Sequence, residues 1–215
     1  MMAKKSSVAL SEAPPSAKAR QILSAAREVF MAEGYGAASM DAIARAAGVS
    51  KATLYAHFAG KEDLFAAIVA AECERHAEVL SATDVDRLEV RAALVLIGRS
   101  FLDLILSPQA LAIYRVVVAE SGRFPELGRA FYASGPSRVL TRLAAYLGRV
   151  TEQGALSVPD PLLAAEQFIG MTRGAAYLRR LLGVAVGASE PDPGTVVDSA
   201  VEVFMRAYAP DPRAE

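Results

Sequence analysis

The stretch that decides the fold reads GVSKATLYAHFAGKEDL and spans residues 48–64. Gly48 can adopt the left-handed conformation that ends a helix, and the hydroxyl of Ser50 can cap the next one. Gly60 then ends that second helix after about two turns. The sequence therefore predicts a short helix, Lys51 to Phe58, joined by a tight turn to the helix before it.

This short helix has an unusual outer face. At about 100° per residue, Leu54 and Phe58 form the buried stripe, while Tyr55 and His57 lie on the flanks. The side opposite the buried stripe carries small residues, namely Ala52, Thr53 and Ala56. Small side chains let a backbone approach the base edges in a major groove ~12 Å wide, and longer flanking groups reach the phosphates. On spacing alone, the pattern also fits an ordinary short helix of a helical bundle.

The neighbouring segments complete a three-helix head. Ser16 can cap a first helix that runs to about Glu33 and is broken at Gly34-Tyr35-Gly36. Ser39 can cap a second helix, Met40 to Ala47, and a fourth helix begins near Lys61. The sequence thus predicts a flexible basic arm at residues 1–16 and a small three-helix head at residues 17–61.

Residues 62–215 form the larger body of the chain. Apolar residues recur there at helical spacing, and no strand alternation of useful length is present. The predicted body helices are Val85 to Leu106, Gln109 to Ser121, Glu126 to Thr151 with a bend at Gly135-Pro136, Leu162 to Leu182, and a last one from Asp192-Pro193 to Tyr208. The expected fold is all-α, with roughly nine helices.

Charge is divided unevenly along the chain. The net charge of all 215 residues is −1, but residues 1–61 carry eight Lys/Arg and four Asp/Glu, which gives +4. The remainder carries −5. A basic head on an acidic body favours a polyanionic partner for the head.

The chemistry-bearing residues argue against an enzyme. One cysteine, Cys73, and two histidines do not make a zinc site, and the lone thiol fits a reducing compartment. Neither a Gly-x-Ser-x-Gly sequence nor a phosphate-binding loop occurs. No apolar run reaches the length of a membrane helix. We expect a cytoplasmic protein with no cofactor, no metal and no membrane partner.

The motif that follows the first helix is specific. Phe30, Gly34, Tyr35 and Ser39 have the spacing F-x-x-x-G-Y-x-x-x-S, and MDAIARAAGVSKATLYAHFAGKEDL follows them. This stretch, about residues 17–65, resembles the N-terminal domain of TetR-family transcriptional regulators. In the body, YRVVVAESGRFPELGRAFY, from Tyr114 to Tyr132, resembles the AcrR-like branch of that family.

The resemblance implies an all-α homodimer that reads a palindromic operator, usually as a repressor released by a small effector. It makes residues 17–61 a helix-turn-helix DNA-binding domain and residues 62–215 an effector-binding and dimerisation domain. Carried over by position, it places bases or phosphates near nine residues: Ser39, Met40, Ser50, Lys51, Ala52, Thr53, Tyr55, His57 and Lys61. Within this set Lys51, Ala52 and Thr53 face bases, and Tyr55, His57 and Lys61 anchor phosphates. Asp41 is an acidic residue at a position that can also face DNA.

Candidates in the body rest on bulk and spacing. An apolar effector pocket is proposed at Phe101, Tyr114, Arg115, Phe131, Phe168 and Met171, with Arg173 as a further polar partner. Small and apolar stripes, taken together with the dimer that the resemblance implies, suggest an interface at Gly170, Gly174, Leu178, Val197, Val201, Phe204 and Tyr208. Each set also fits plain core packing within one subunit, and an all-α carrier of apolar ligands that does not bind DNA remains the alternative function.

Overall fold

The computed structural model describes residues 16–82, 85–184 and 191–210, and within these ranges it consists of ten α-helices and one 3₁₀ turn. The predicted arm lies outside the described residues except for Ser16. The helices are α1 Ala17–Ala37, α2 Met40–Ala46, α3 Lys51–His57, α4 Lys61–Ala82, α5 Val90–Leu106, α6 Pro108–Glu120, α7 Pro125–Ser134, α8 Pro136–Glu152, α9 Pro161–Leu181 and α10 Pro193–Ala207, with the 3₁₀ turn at Val85–Arg87 between α4 and α5.

Serine hydroxyls begin the first three helices, as the sequence predicts. Ser16, Ser39 and Ser50 each accept a hydrogen bond from the backbone N–H three residues on, at 3.0 to 3.1 Å. Each bond satisfies one of the amides that a helix leaves open at its start. The three caps therefore fix where α1, α2 and α3 begin.

Two glycines set the turns of the head. Gly34 interrupts α1 with φ 78° and ψ 160°, and the N–H of Ala38 donates to its carbonyl oxygen. Gly48 has φ 61° and redirects the chain between α2 and α3. Residues other than glycine rarely adopt such positive φ values. The predicted helix breaks at Gly34 and Gly48 are therefore confirmed.

Two apolar clusters hold the molecule together. The first contains Phe30 and Leu54 from the head and Phe65 from α4, and it extends to Ile113 and Leu127 of α6 and α7. The second cluster lies among α5, α8, α9 and α10 and includes Leu94, Leu147, Phe168 and Phe204. Because α6 and α7 contribute to the first cluster, the head packs directly against helices of the body.

Two long helices expected from the sequence are divided. The segment Val85 to Leu106 begins with the 3₁₀ turn, and α5 starts only at Val90, capped by the carboxylate of Glu89. The segment Glu126 to Thr151 is two helices, because Pro136 has no N–H and Gly135 leaves the helical region at φ −119° and ψ −88°.

Candidate nucleic-acid interface and interior cavity

The helix-turn-helix is built around a small shared core. Ile43 of α2 and Leu54 of α3 are fully buried, and Val49 of the turn packs beside them. Burying Leu54 turns the other faces of α3 outward. Ala52, Tyr55 and His57 are exposed, with 52% of Tyr55 accessible to solvent. The structure thus brings a row of predicted DNA-facing side chains to one surface.

Lys51 forms an ion pair that sequence reasoning left unassigned. Its Nζ lies 2.6 Å from Oδ2 of Asp41, joining the first residue of α3 to the second residue of α2. Both side chains remain largely exposed, so the pair lies on the outer surface of the head. An acidic group is unfavourable beside DNA phosphates, and here it is compensated by the lysine that the resemblance assigns to base contact.

The side chain of Thr53 is also fixed by a hydrogen bond within the protein. Its hydroxyl lies 2.8 Å from Oγ of Ser50, which in turn accepts from the backbone N–H of Thr53. Ser39 occupies the corresponding cap of α2 and is exposed, whereas Met40 is half-buried against the first apolar cluster. Of the pair at the start of α2, Ser39 is therefore the more accessible to a phosphate.

Lys61 makes contacts that the sequence did not indicate. Its ammonium donates to the carbonyl oxygens of Tyr35 at 2.8 Å and Gly36 at 3.3 Å, and it lies 4.9 Å from the ring centroid of Tyr35. An ammonium has three N–H donors, so one is left for a phosphate. The residue both stabilises the kinked end of α1 and borders the predicted interface.

An interior cavity of about 180 Å³, partly open to solvent, lies among α4, α5, α6, α7, α8 and α9. Its wall is mostly apolar and aromatic, and it includes three of the predicted effector residues, Phe101, Tyr114 and Phe131. The rings of Tyr114 and Phe131 pack edge to face at 5.6 Å, and Tyr177 packs against Tyr114 at 5.7 Å. Such a wall suits an apolar or aromatic ligand.

Burial favours the neutral form of two polar side chains in the cavity wall. Burial raises the pKa of Cys73 to about 11 and that of Tyr177 to about 12. The carboxylate of Glu72 is buried at the wall, and the guanidinium of Arg173 lies 5.3 Å from the ring centroid of Tyr177. Tyr177 was missed from the sequence: it lies four residues beyond Arg173, on the far side of a kink at Gly174, where φ is 53°.

Three predicted effector residues lie away from the cavity, and their assignment is corrected. Phe168 is fully buried in the second apolar cluster, in edge contact with Phe204, and Met171 packs on the same cluster. Arg115 donates to the carbonyl oxygens of Arg180 and Leu181, so it caps the end of α9. All three side chains serve packing or capping. Helical spacing alone does not distinguish such residues from those that line a ligand pocket.

The predicted dimer residues divide by exposure. Gly170, Gly174 and Leu178 of α9 are exposed, with 57% of Leu178 accessible. The predicted stripe of α10 is corrected: Val197, Val201 and Phe204 are fully buried within their own subunit. Tyr208 is half-buried, stacks on Phe204 and donates its hydroxyl hydrogen to Gln167.

None of the helices within the described ranges combines the length and the apolar character that crossing a membrane requires.

Comparison with known families finds two matches, which together cover most of the chain. Residues 22–68 match the family described as bacterial regulatory proteins, tetR family, and residues 92–210 match the AefR-like transcriptional repressor C-terminal domain. The second match lies within the body and names an AefR-like domain, so the AcrR-like branch suggested by the sequence stays a prediction.

Individual relatives show the same similarity. A solved TetR-family regulator from Mesorhizobium loti MAFF303099 is 30% identical, with a TM-score of 0.74, covering 89% of this chain and 96% of that one. The flavonoid-responsive regulator FrrA is 39% identical, with a TM-score of 0.73, covering 92% and 98%. The transcriptional activator FasR of Mycolicibacterium smegmatis is 43% identical over 34% of this chain, and the match spans about a third, 35%, of FasR.

Proposed function

This chain belongs to the TetR family of DNA-binding transcriptional regulators, which are not enzymes, and from that premise we propose a specific mode of action. The protein is a repressor that binds a palindromic operator as a homodimer. A small apolar effector fills the interior cavity and releases the DNA. Residues 17–61 bind DNA, and residues 62–215 bind the effector and form the dimer.

The observation that carries this proposal is the outer surface of α3. Lys51, Ala52 and Thr53 are at its front, and Tyr55 and His57 border them, while Leu54 is fully buried. Small residues at the centre admit the backbone to the major groove, and the flanking polar groups are long enough to reach its phosphate walls. A carrier of apolar ligands has no use for this arrangement.

Dimerisation follows from the geometry of operators. The half-sites of a palindrome lie ~34–36 Å apart or a multiple of that, so one head reads only half of it. Support for α9 as the interface comes from the exposure of Gly170, Gly174 and Leu178, which lie on both sides of the kink at Gly174, where φ is 53°. Leu182 extends the same exposed end of α9 and adds apolar area.

The effector is proposed to be apolar and aromatic. The edge-to-face rings of Phe131, Tyr114 and Tyr177 offer contacts that planar aromatic ligands make well. FrrA, which shares 39% of its residues with this chain, is described as flavonoid-responsive. Flavonoids are therefore the first compounds to test. Repression is favoured over activation because the body matches an AefR-like repressor domain.

The test is selection of duplexes from a random DNA pool by the purified protein. The wild-type chain should enrich a palindromic sequence, and the Lys51→Ala/Thr53→Ala variant should not. A Val118→Ala variant, changed at an exposed residue of α6, serves as the matched control and should recover the same palindrome. A folded dimer that enriches no sequence, yet shows a thermal shift with apolar compounds, would favour the carrier.

A further inference from the structure

The connection between α6 and α7 contacts the head through one aromatic side chain. Phe124, the residue that precedes α7, packs edge to face on Tyr35, with ring centroids 5.5 Å apart. Tyr35 is buried and also contacts Phe30 and Phe65, at 5.5 and 5.9 Å between centroids. Phe124 therefore completes the aromatic enclosure of a head residue from the side of the body.

Lys61 is held at this aromatic cluster. Its ammonium bonds the carbonyl oxygens of Tyr35 and Gly36, and it lies 4.9 Å from the ring of Tyr35 and 6.0 Å from that of Phe124. Both ring distances fall within the range of cation–π attraction. A lysine side chain is flexible, so contacts that fix it beforehand reduce the entropy lost when it binds a phosphate.

Gly36 shows how closely Phe124 approaches the backbone that accepts from Lys61. A Cβ added to Gly36 would lie 3.0 Å from Cε2 of Phe124 and 3.3 Å from Oε2 of Glu120. The Phe124 ring therefore packs against the Gly36 peptide, whose carbonyl oxygen accepts a hydrogen bond from Lys61. A methyl group at this position would force the Phe124 ring to shift by a few tenths of an ångström.

The same connection is continuous with the cavity wall. The helices on either side of it, α6 and α7, supply Tyr114 and Phe131 to the cavity. Helix α6 also sends Ile113 and Val117 into the apolar cluster of the head. A shift of the helix pair against the head would therefore move Phe124 relative to Lys61.

We propose that Phe124 is a positioning residue for the phosphate contact of Lys61, and that through it the body sets the DNA affinity of the head. This inference rests on the proposed function, because it requires Lys61 to meet a phosphate. Phe124 does not touch DNA; it acts by keeping Tyr35 and the ammonium of Lys61 in their present places.

The test measures affinity against salt concentration, with the duplex that the wild-type chain selects. Four variants are compared with wild type: Phe124→Leu, Phe124→Tyr, Lys61→Met and the Phe124→Leu/Lys61→Met double variant. Leu keeps apolar bulk and removes the ring, whereas Tyr keeps the ring. Circular dichroism and melting temperature report folding. Gly36→Ala displaces the ring without altering Phe124 and should act in the same direction as Phe124→Leu.

Lys61→Met should remove one phosphate contact from each head and reduce the slope of log affinity against log salt by about 1.8 per dimer. Phe124→Leu should reduce it by about half as much and weaken binding about threefold at 0.15 M salt, while Phe124→Tyr keeps the wild-type slope. In the double variant, the Phe124→Leu change should add nothing to Lys61→Met.

Two results would overturn the inference: a wild-type slope in Phe124→Leu, or an unchanged Phe124→Leu loss in the Lys61→Met background. Either result would reduce Phe124 to a packing residue. If the wild-type chain binds no duplex at all, the proposed function falls as well. If wild type binds with a steep slope and only the variants disagree, the failure belongs to this inference alone.

Discussion

At the residue scale, the side chains predicted to meet DNA already have partners in the protein. Lys51 forms an ion pair with Asp41, and the hydroxyl of Thr53 is hydrogen-bonded to that of Ser50. Lys61 donates hydrogen bonds to two backbone carbonyl oxygens. Such fixed side chains lose less entropy on binding than free ones do. The serine caps could be predicted from the sequence because each bonds an amide only three residues away. The Asp41–Lys51 pair could not, because it depends on the angle between α2 and α3.

The ion pair predicts an effect of Asp41 on specificity. Asp41→Asn should raise affinity for unrelated duplex DNA by up to about fivefold, because it removes a negative charge and frees Lys51 to contact phosphates. Affinity for the selected operator should rise less, so discrimination falls. Fluorescence anisotropy with both duplexes measures this. The control Glu28→Gln makes the same charge change at an exposed residue of α1 and should leave the ratio of operator affinity to unrelated-DNA affinity unchanged. If Asp41→Asn also left this ratio unchanged, the ion pair would have no role in specificity.

At the element scale, exposure separates α9 from α10. The outer side of α9 carries exposed glycines and leucines, whereas the apolar stripe of α10 faces α5 and α9 of its own subunit. The stripe was visible in the sequence, but its partner was not. Helical spacing shows that a face is apolar and leaves open whether it packs within a chain or between chains.

The internal packing of α10 predicts a stability change. Gly98 of α5 lies so close to Val197 that an added Cβ would be 2.8 Å from its Cγ1. Gly98→Ala should therefore lower the free energy of unfolding by about 1–3 kcal/mol, measured by urea denaturation. Gly148→Ala, at a helix position with open space, should raise it by about 0.5–1 kcal/mol. Equal effects at both sites would contradict the close contact between α5 and α10.

The exposed face of α9 predicts the site of dimerisation. Leu178→Glu should weaken the dimer at least about tenfold, because it buries a charge in an apolar interface. Val118→Glu, at a residue of α6 that is equally exposed, should leave the dimer intact. Sedimentation velocity over a concentration series measures both. A monomer produced by Val118→Glu rather than by Leu178→Glu would move the interface to α6.

At the scale of the whole molecule, α6 and α7 serve two clusters of contacts. They contribute Tyr114 and Phe131 to the cavity wall, and they contribute Ile113 and Leu127 to the apolar cluster shared with the head. The all-α fold and the helix-turn-helix could be predicted because their signals are local. The cavity could not, because six helices meet there, and Phe168 has the same sequence signal as Phe131 although it is core.

The cavity predicts a separable ligand response. Ala110→Leu places added bulk at the cavity wall, so it should abolish the thermal shift expected from an apolar effector that fills the proposed site, while operator binding persists. Met171→Leu, a change outside the cavity lining, should keep the shift. Differential scanning fluorimetry reports it. A shift that survives Ala110→Leu would place the ligand elsewhere.

The most direct test of the account is the affinity of the wild-type chain for its selected palindrome across a salt series. With about eight phosphate contacts per dimer, the slope of log affinity against log salt should be about −7. The Lys51→Ala/Thr53→Ala variant should lose preference for the palindrome over unrelated DNA. A slope near zero, or a variant that retains the preference, would contradict the claim that α3 reads an operator.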